Sequence, residues 1–305
     1  MKLRELAKWL GSLVFFSVLS IGVIVHSVPV RVFTQLTEAR MWLHGARGHW
    51  TYVDGYRIHY YVMGPDSGQP LVLIHGLGAR AEDWANLAPY FSRAGFRVYL
   101  PDLPGYGQSE MPPNFSYSIA DQAQVVWGFL NALHLHQVDL GGWSMGGWIV
   151  QVVAIGHPER VSRLMLFDSA GLYVRPDWNT ALFTPTTPDQ IAQLDALLMP
   201  NPPSVPSFVA ADILRLSRAH AWVIQRALGS MLTGRDTTDN LLPQLKMPVL
   251  IVWGALDRIT PLPQALRIHG LVPQSQLDVI QGCGHLAPSQ CASAIAPGAV
   301  HFLLQ

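Results

Sequence analysis

The sequence predicts an α/β fold: an eight-stranded, mostly parallel sheet with an antiparallel start, helices on both faces, an inserted helical cap and a membrane helix in front. Three observations lead there. Beyond residue 48, short apolar runs alternate with longer amphipathic segments, the pattern of strands buried on both faces by flanking helices. The first two runs are separated only by Asp54-Gly55, a hairpin turn. One long stretch, residues 172–240, interrupts the alternation with no strand pattern at all. The chain has 305 residues, 50% of them hydrophobic and only 13% charged. Globular domains average about 25% charge, so disorder is excluded for the bulk of the chain. Twenty basic side chains cancel twenty acidic ones, which argues against nucleic acid as a partner, since that needs a basic face. No Cys/His spacing resembles a metal site, and with only Cys283 and Cys291 a disulfide scaffold is excluded. Whether those two pair is open.

Met1 to Lys8 carries Lys2, Arg4 and Lys8, and Leu10 to Val25 then holds eleven Leu, Val, Ile or Phe residues and no charge. At about 0.3–0.6 kcal/mol each, those residues favour bilayer insertion by roughly 3–6 kcal/mol. As a helix, Trp9 to Val30 would span about 33 Å, enough for the hydrocarbon layer. Residues 1–30 are therefore expected to be a transmembrane anchor, with a cleaved signal peptide ending near Val25-His26-Ser27 as the alternative. Basic residues flank the run on both sides, so orientation stays open. Residues 31–48 form a linker. Its amphipathic pattern runs from Pro29 to Gly45, with Val32, Leu36, Ala39 and Leu43 on one face, suited either to a bilayer surface or to the next domain.

The core is expected over 49–171 and 241–305. Trp50 to Val53 and Arg57 to Val62 read as the hairpin. Strands follow at Leu71 to Ile74, Arg97 to Leu100, Val138 to Gly142, Leu164 to Phe167, Val249 to Trp253 and Gln276 to Ile280. Helical patterns lie between them at Glu82 to Ala94, Ile119 to Leu133, Gly146 to Gly156, Leu262 to Gly270 and Ser289 to Leu304. Residues 172–240 are crowded with proline in their first half and carry short helical stripes later, as expected of a cap.

Chemistry begins at Gly142-Trp143-Ser144-Met145-Gly146, between an apolar strand and a helix. A serine on so sharp a turn needs small residues two before and two after it. A lone serine is a weak nucleophile and needs a base oriented by an acid. In an open parallel sheet such partners sit beyond the carboxyl ends of later strands. Asp257 and His285 occupy those places, with Asp168 as rival for the acid. His75-Gly76-Leu77-Gly78 follows the first parallel strand, so the amides of Leu77 and Met145 are candidates for an oxyanion hole. Trp84, Tyr106, Trp143, Trp178 and Phe183 are candidates for a greasy pocket under the cap. One competing pattern exists: Gly76-Leu77-Gly78-Ala79-Arg80-Ala81, followed by Asp102, approaches a dinucleotide fingerprint, but it leaves Ser144 and His285 unexplained.

On His75 to Gly78, Asp102-Leu103-Pro104-Gly105-Tyr106-Gly107-Gln108-Ser109, the Ser144 elbow, Asp257 and His285, the chain resembles the α/β-hydrolase-fold serine hydrolases from residue 49 to its end. With the N-terminal anchor, Phe167 to Leu172 and Thr187 to Gln190, it is most similar within them to membrane-anchored monoacylglycerol lipases. The resemblance implies ester hydrolysis of a lipophilic substrate through an acyl-enzyme, with no cofactor and with membrane lipid as a partner. Carbon–carbon bond hydrolases of ring-cleavage products share the same triad and form the alternative, a non-catalytic lipid-binding module a more distant one. Gln290 departs from the family, which usually has Glu there. Oligomeric state is not indicated.

Overall fold

A computed structural model of the protein describes residues 25–305. The expected anchor lies outside the described residues except for its last positions, and among the described residues no helix is long and apolar enough to cross a membrane. The first described helix, α1 (Pro29–Leu43), starts with proline in its first turn, where the missing N–H costs nothing. Its inward face carries the buried Met41, while Phe33, Leu36 and Leu43 are 71, 66 and 75% exposed. Of the apolar stripe anticipated over Val32, Leu36, Ala39 and Leu43, the last three thus point away from the body, while Val32 is half-buried. The helix is held by polar bonds instead: Val30 N donates to Asp212 at 3.1 Å, Arg80 to Thr34 at 3.4 Å, and Gln108 to Glu38 at 3.1 Å.

The hairpin is β1 (Arg47–Val53) and β2 (Tyr56–Met63), turning at Asp54 and Gly55, both at positive φ. Six further strands follow: β3 (Pro70–Ile74), β4 (Arg97–Pro101), β5 (Val138–Trp143), β6 (Val161–Phe167), β7 (Val249–Gly254) and β8 (Ser275–Ile280). They form one sheet in the order β1-β2-β4-β3-β5-β6-β7-β8, antiparallel at β1–β2 and β2–β4 and parallel elsewhere.

The two-residue period of the strands sorts their side chains onto two cores. Val72 and Ile74 of β3 face one layer, with Phe129 of α3 (Ile119–Ala132), Ile149 and Val153 of α4 (Met145–Gly156) and Ile268 of α7 (Pro263–Leu271). Leu71 and Leu73 face the other, with Phe91 of α2 (Ala88–Arg93) and Ile295 and Phe302 of α9 (Ala292–Leu303). Each such side chain, fully buried, contributes about 1.5–3 kcal/mol, which is why continuous apolar runs were the strand signal here. Two helices expected as single pieces are broken. Residues 82–94 are a 3₁₀ turn (Ala81–Trp84) followed by α2, and residues 289–304 are α8 (Ala287–Gln290) and α9, separated by Cys291.

The cap contains α5 (Pro188–Leu198) and α6 (Ser207–Met231). Thr238 N donates to Gly171 O at 2.8 Å, so the excursion returns beside its departure point. Val223, Ile224 and Ala227 of α6 join the main core, while Ile191, Ala210 and Leu214 make a small cluster of their own.

Candidate active site

Gly142 is the next-to-last residue of β5 and Gly146 the second of α4, and the turn between them is sterically closed to anything larger at either position. A Cβ on Gly142 would lie 2.2 Å from the Gly146 carbonyl oxygen, and one on Gly146 would lie 2.3 Å from that of Ile74. Ser144, between them, adopts φ 56° and ψ −119°, a strained conformation for a side-chain-bearing residue. The strain is held by Ser144 N donating to Phe167 O and by Ala170 N donating to Ser144 O, both at 3.0 Å.

Three side chains distant in sequence meet at this point. His285 Nε2 lies 2.8 Å from Ser144 Oγ, and His285 Nδ1 lies 2.8 Å from Asp257 Oδ2. Asp257 follows β7 in a tight turn where its Oδ1 accepts from the amides of Ile259 (2.8 Å) and Thr260 (2.9 Å), an aspartate turn that fixes the carboxylate. The Thr260 hydroxyl reaches Oδ2 at 2.7 Å. With the imidazole, four donors surround this carboxylate. Sequence reasoning missed Thr260; the available signal was its place three residues after an aspartate that ends a buried strand.

Asp168, the rival acid, lies just past β6 at positive φ and is fully buried. Its Oδ1 accepts from Gly254 N at 2.7 Å, and its Oδ2 has no partner. Burial and the neighbouring charge of Asp257 push its carboxyl well above the usual carboxylate range. His285 bonds to Asp257.

Met145 is the first residue of α4, so its amide has no acceptor inside the helix and is oriented with the positive end of the helix dipole. Leu77 and Ser144 line the same cavity. A Cβ on Gly76 would stand 3.1 Å from Ser144 Cβ, a measure of how closely that loop approaches the elbow. His75 shapes it: Leu103 N donates to His75 Nε2 at 3.0 Å, which leaves Nδ1–H to donate to Gly76 O at 2.8 Å. Burial lowers the pKa of this imidazole, consistent with a neutral structural histidine. Asp102 is likewise committed, accepting from Ala81 N and Gln108 N and pairing with His59 at 2.9 Å. Being fully buried, it is closed to a ribose hydroxyl, which removes the dinucleotide pattern.

The cavity over Ser144 has a volume of about 510 Å³. Of the five aromatic residues expected to line it, Trp178 and Phe183 do. The other three belong elsewhere. Trp84 packs edge-on against Phe167 in the opposite core layer. Tyr106 lies against His75. Trp143 donates from Nε1 to His285 O at 2.7 Å, bracing the histidine rather than the substrate. Proximity to a motif in sequence does not say whether an aromatic ring turns to pocket or core: Trp84 sits on a 3₁₀ turn, Tyr106 in the loop after β4 and Trp143 at the end of β5, and in each the backbone directs the ring elsewhere. Apolar walls that sequence reasoning overlooked come from Trp148, Leu172, Leu228 and Met231. Arg175 and Arg267 also border the cavity; Arg175 is exposed, and Arg267 is paired with Asp239 at 2.5 Å.

A family model described as alpha/beta hydrolase fold matches residues 69–290. Among curated relatives, the 2-hydroxy-6-oxononadienedioate/2-hydroxy-6-oxononatrienedioate hydrolase of Burkholderia vietnamiensis is 30% identical over 268 residues, 81% of this chain and 91% of its own. The protein of the same name from Klebsiella pneumoniae is 29% identical over 81% of this chain and 91% of its own. Among solved structures, a membrane phospholipase A described as a bacterial virulence factor superposes with a TM-score of 0.82 at 25% identity, covering 97% of this chain and 98% of that one. A 2-hydroxy-6-oxo-6-phenylhexa-2,4-dienoate hydrolase from Rhodococcus sp. strain RHA1 superposes at 0.76 with 23% identity, over 85% of this chain and 99% of that one, a likeness of fold.

Proposed function

The chain belongs to the alpha/beta hydrolase fold family, and on that premise we propose that it is a serine hydrolase cleaving carboxylic esters of lipophilic substrates, such as acylglycerols. The observation that carries the chemistry is the unbroken relay from Asp257 through His285 to Ser144, with 2.8 Å at each step. Ser144 Oγ attacks the ester carbonyl while His285 Nε2 takes its proton. Asp257 holds the imidazole in the Nδ1–H tautomer and stabilises the cation that forms. The amides of Leu77 and Met145 receive the developing oxyanion. His285 then protonates the leaving alcohol, and water, activated by the same imidazole, releases the acid from the acyl-enzyme. Nothing in this sequence of steps calls for a cofactor.

The substrate class rests on the cavity. Its walls around Ser144 are Leu77, Trp148, Leu172, Phe183, Leu228 and Met231, surfaces for an acyl chain, whereas its cations sit exposed or already paired. The exposed stripe of Phe33, Leu36 and Leu43 on α1, directly after an apolar run in the sequence, suits an enzyme that meets its substrate at a bilayer. The curated relatives favour a second reading, hydrolysis of a carbon–carbon bond in a ring-cleavage product. A dienedioate carries two carboxylates, and Arg175 with Arg267 at the cavity border would have to receive them.

One experiment separates the two. Membrane fractions with wild-type protein or Ser144→Ala are given a chain-length series of acylglycerols and p-nitrophenyl esters alongside a vinylogous diketone dienedioate. Ester turnover is expected to exceed diketone turnover and to fall by about a thousandfold or more in the variant. Equal ester turnover in both proteins removes the assignment, and turnover confined to the diketone establishes the second reading. In the same assay, Phe33→Glu with Leu36→Glu is expected to slow cleavage of bilayer-embedded acylglycerol while leaving a water-soluble ester unaffected.

A further inference from the structure

Cys283 and Cys291 are the chain's only cysteines, and they form a disulfide across a sequence separation of eight. The closed loop contains His285. The stretch that enters it, Gln281 to Leu286, includes Gly282 at φ 75° just before Cys283 and Gly284 just after, residues that leave a chain with wide conformational freedom. Yet the imidazole this stretch carries must sit 2.8 Å from each of two partners in the turns that follow other strands.

The second half of the loop is the helical turn α8, held by Gln290 N donating to Leu286 O at 2.9 Å and Cys291 N to Ala287 O at 2.8 Å, whereas the stretch from Cys283 to His285 is tied to its surroundings at two carbonyls. Leu256 N donates to Cys283 O at 2.8 Å, and Trp143 Nε1 donates to His285 O at 2.7 Å. The end of β7 packs closely against it: a Cβ on Gly254 would lie 2.3 Å from Gly284 O. Cys291 stands at the other end, at the N-cap of α9, whose Ile295, Ala296, Ala299 and Phe302 are buried in the core. The disulfide therefore ties a glycine-rich loop to a rigid, packed helix, and the residue two positions from the tie is the histidine of the relay.

We propose that the Cys283–Cys291 disulfide is a positioning crosslink for His285, so that the reduced protein keeps its substrate affinity but loses turnover. This rests on the serine-hydrolase reading above. Reduction removes one end of the tether and lets the imidazole sample positions away from Ser144, and misplacement by about 1 Å in a reacting group can cost on the order of a hundredfold in rate. The cavity walls come from other segments, chiefly the cap and the strand ends, so binding is left alone. Because such a bond forms and persists in oxidising surroundings, the proposal also sets the catalytic domain on the oxidising side of the membrane.

The test uses the full chain in native membranes. Thiols are blocked with N-ethylmaleimide at lysis and peptides are then mass-analysed with and without reduction. Both cysteines are expected to be protected from alkylation until reduced, and alkylation of both without reduction overturns the proposal. Next, kcat and KM for p-nitrophenyl butyrate, and the rate of Ser144 labelling by a fluorophosphonate, are measured before and after a phosphine reductant. The expectation is a loss of about ten- to a hundredfold in kcat and in labelling rate, KM within about twofold, and recovery on reoxidation. Cys283→Ser with Cys291→Ser should match the reduced protein and ignore the reductant, with near-UV circular dichroism checking that it is folded. A kcat indifferent to reduction in protein shown to carry the bond sinks the idea. Labelling that responds to reduction in a protein that turns over no ester keeps the crosslink and discards only the substrate.

Discussion

The hydroxyl of Thr260 lies 2.7 Å from Asp257 Oδ2, the same oxygen that His285 Nδ1 approaches at 2.8 Å. It is 3.0 Å from Asp168 O and 3.3 Å from His285 Nδ1 itself. One small side chain therefore sets where the lone pairs of the orienting carboxylate point. Thr260→Val keeps the shape and removes the hydroxyl. Its kcat for a short ester is expected to drop by about five- to twentyfold, since a hydrogen bond to a charged group is worth about 1.5–3 kcal/mol and the two remaining amide donors compensate in part. KM should hold, and Thr260→Ser should restore turnover. A change in KM alone would assign Thr260 to the pocket instead.

Asp257 and Asp168 are adjacent acids with opposite assignments. Asp257→Asn leaves His285 without an anion and favours the wrong tautomer, an effect on the order of 10⁴ in kcat. Asp168→Asn should cost less than about fivefold, because Asp168 makes no bond to His285, burial already disfavours its charged form, and the asparagine carbonyl can still accept from Gly254 N as Oδ1 does now. Steady-state kinetics on both variants decides the matter. If Asp168→Asn were the more damaging, the acid would have been assigned to the wrong strand.

Asp139 in β5 predicts a pH effect on stability rather than on rate. Burial pushes its carboxyl up to about 6, against the partial relief of Arg163 3.5 Å away. The folded state therefore binds this proton more tightly than the unfolded chain, whose aspartates titrate near ~3.9. Folding is favoured below that value, and the advantage is lost as pH rises towards 6. Asp139→Asn stays neutral throughout, so relative to wild type it should gain stability across that window and level off above it, by on the order of 2 kcal/mol. Urea unfolding at pH 4.5 and 7.5 measures the difference; equal values at the two pH points would contradict the raised carboxyl.

What could be read in advance divides by the range of the physics involved. The strands were visible because Leu71 to Ile74 and Val249 to Trp253 are buried on both faces, and burial on both faces writes an unbroken apolar run. The elbow was visible because its constraint is local, two glycines within two residues of Ser144. Asp257 and His285 were accessible through topology, since each lies in the loop just past the carboxyl end of a parallel strand. Trp84 and Tyr106 were not, because an aromatic ring can serve a pocket or a core and only the direction its backbone gives it decides. The outward stripe of α1 followed the opposite logic: its periodicity was plain, but Glu38 and Thr34 hold the inner face through polar bonds that no apolar pattern announces. The crosslink at Cys291 was not legible either, because the presence of two cysteines does not reveal that they pair.

The collisions that a methyl group would make at Gly142 and Gly146 are with main-chain oxygens, those of Gly146 and Ile74. Side chains can swing aside to admit a neighbour, but these oxygens belong to the strand and helix that define the fold. No repacking elsewhere can make room for them. Attempts to retarget this protein by directed evolution should therefore find the elbow immovable and draw their useful variation from Trp178, Leu228 and Met231, where the walls are side chains and free to change.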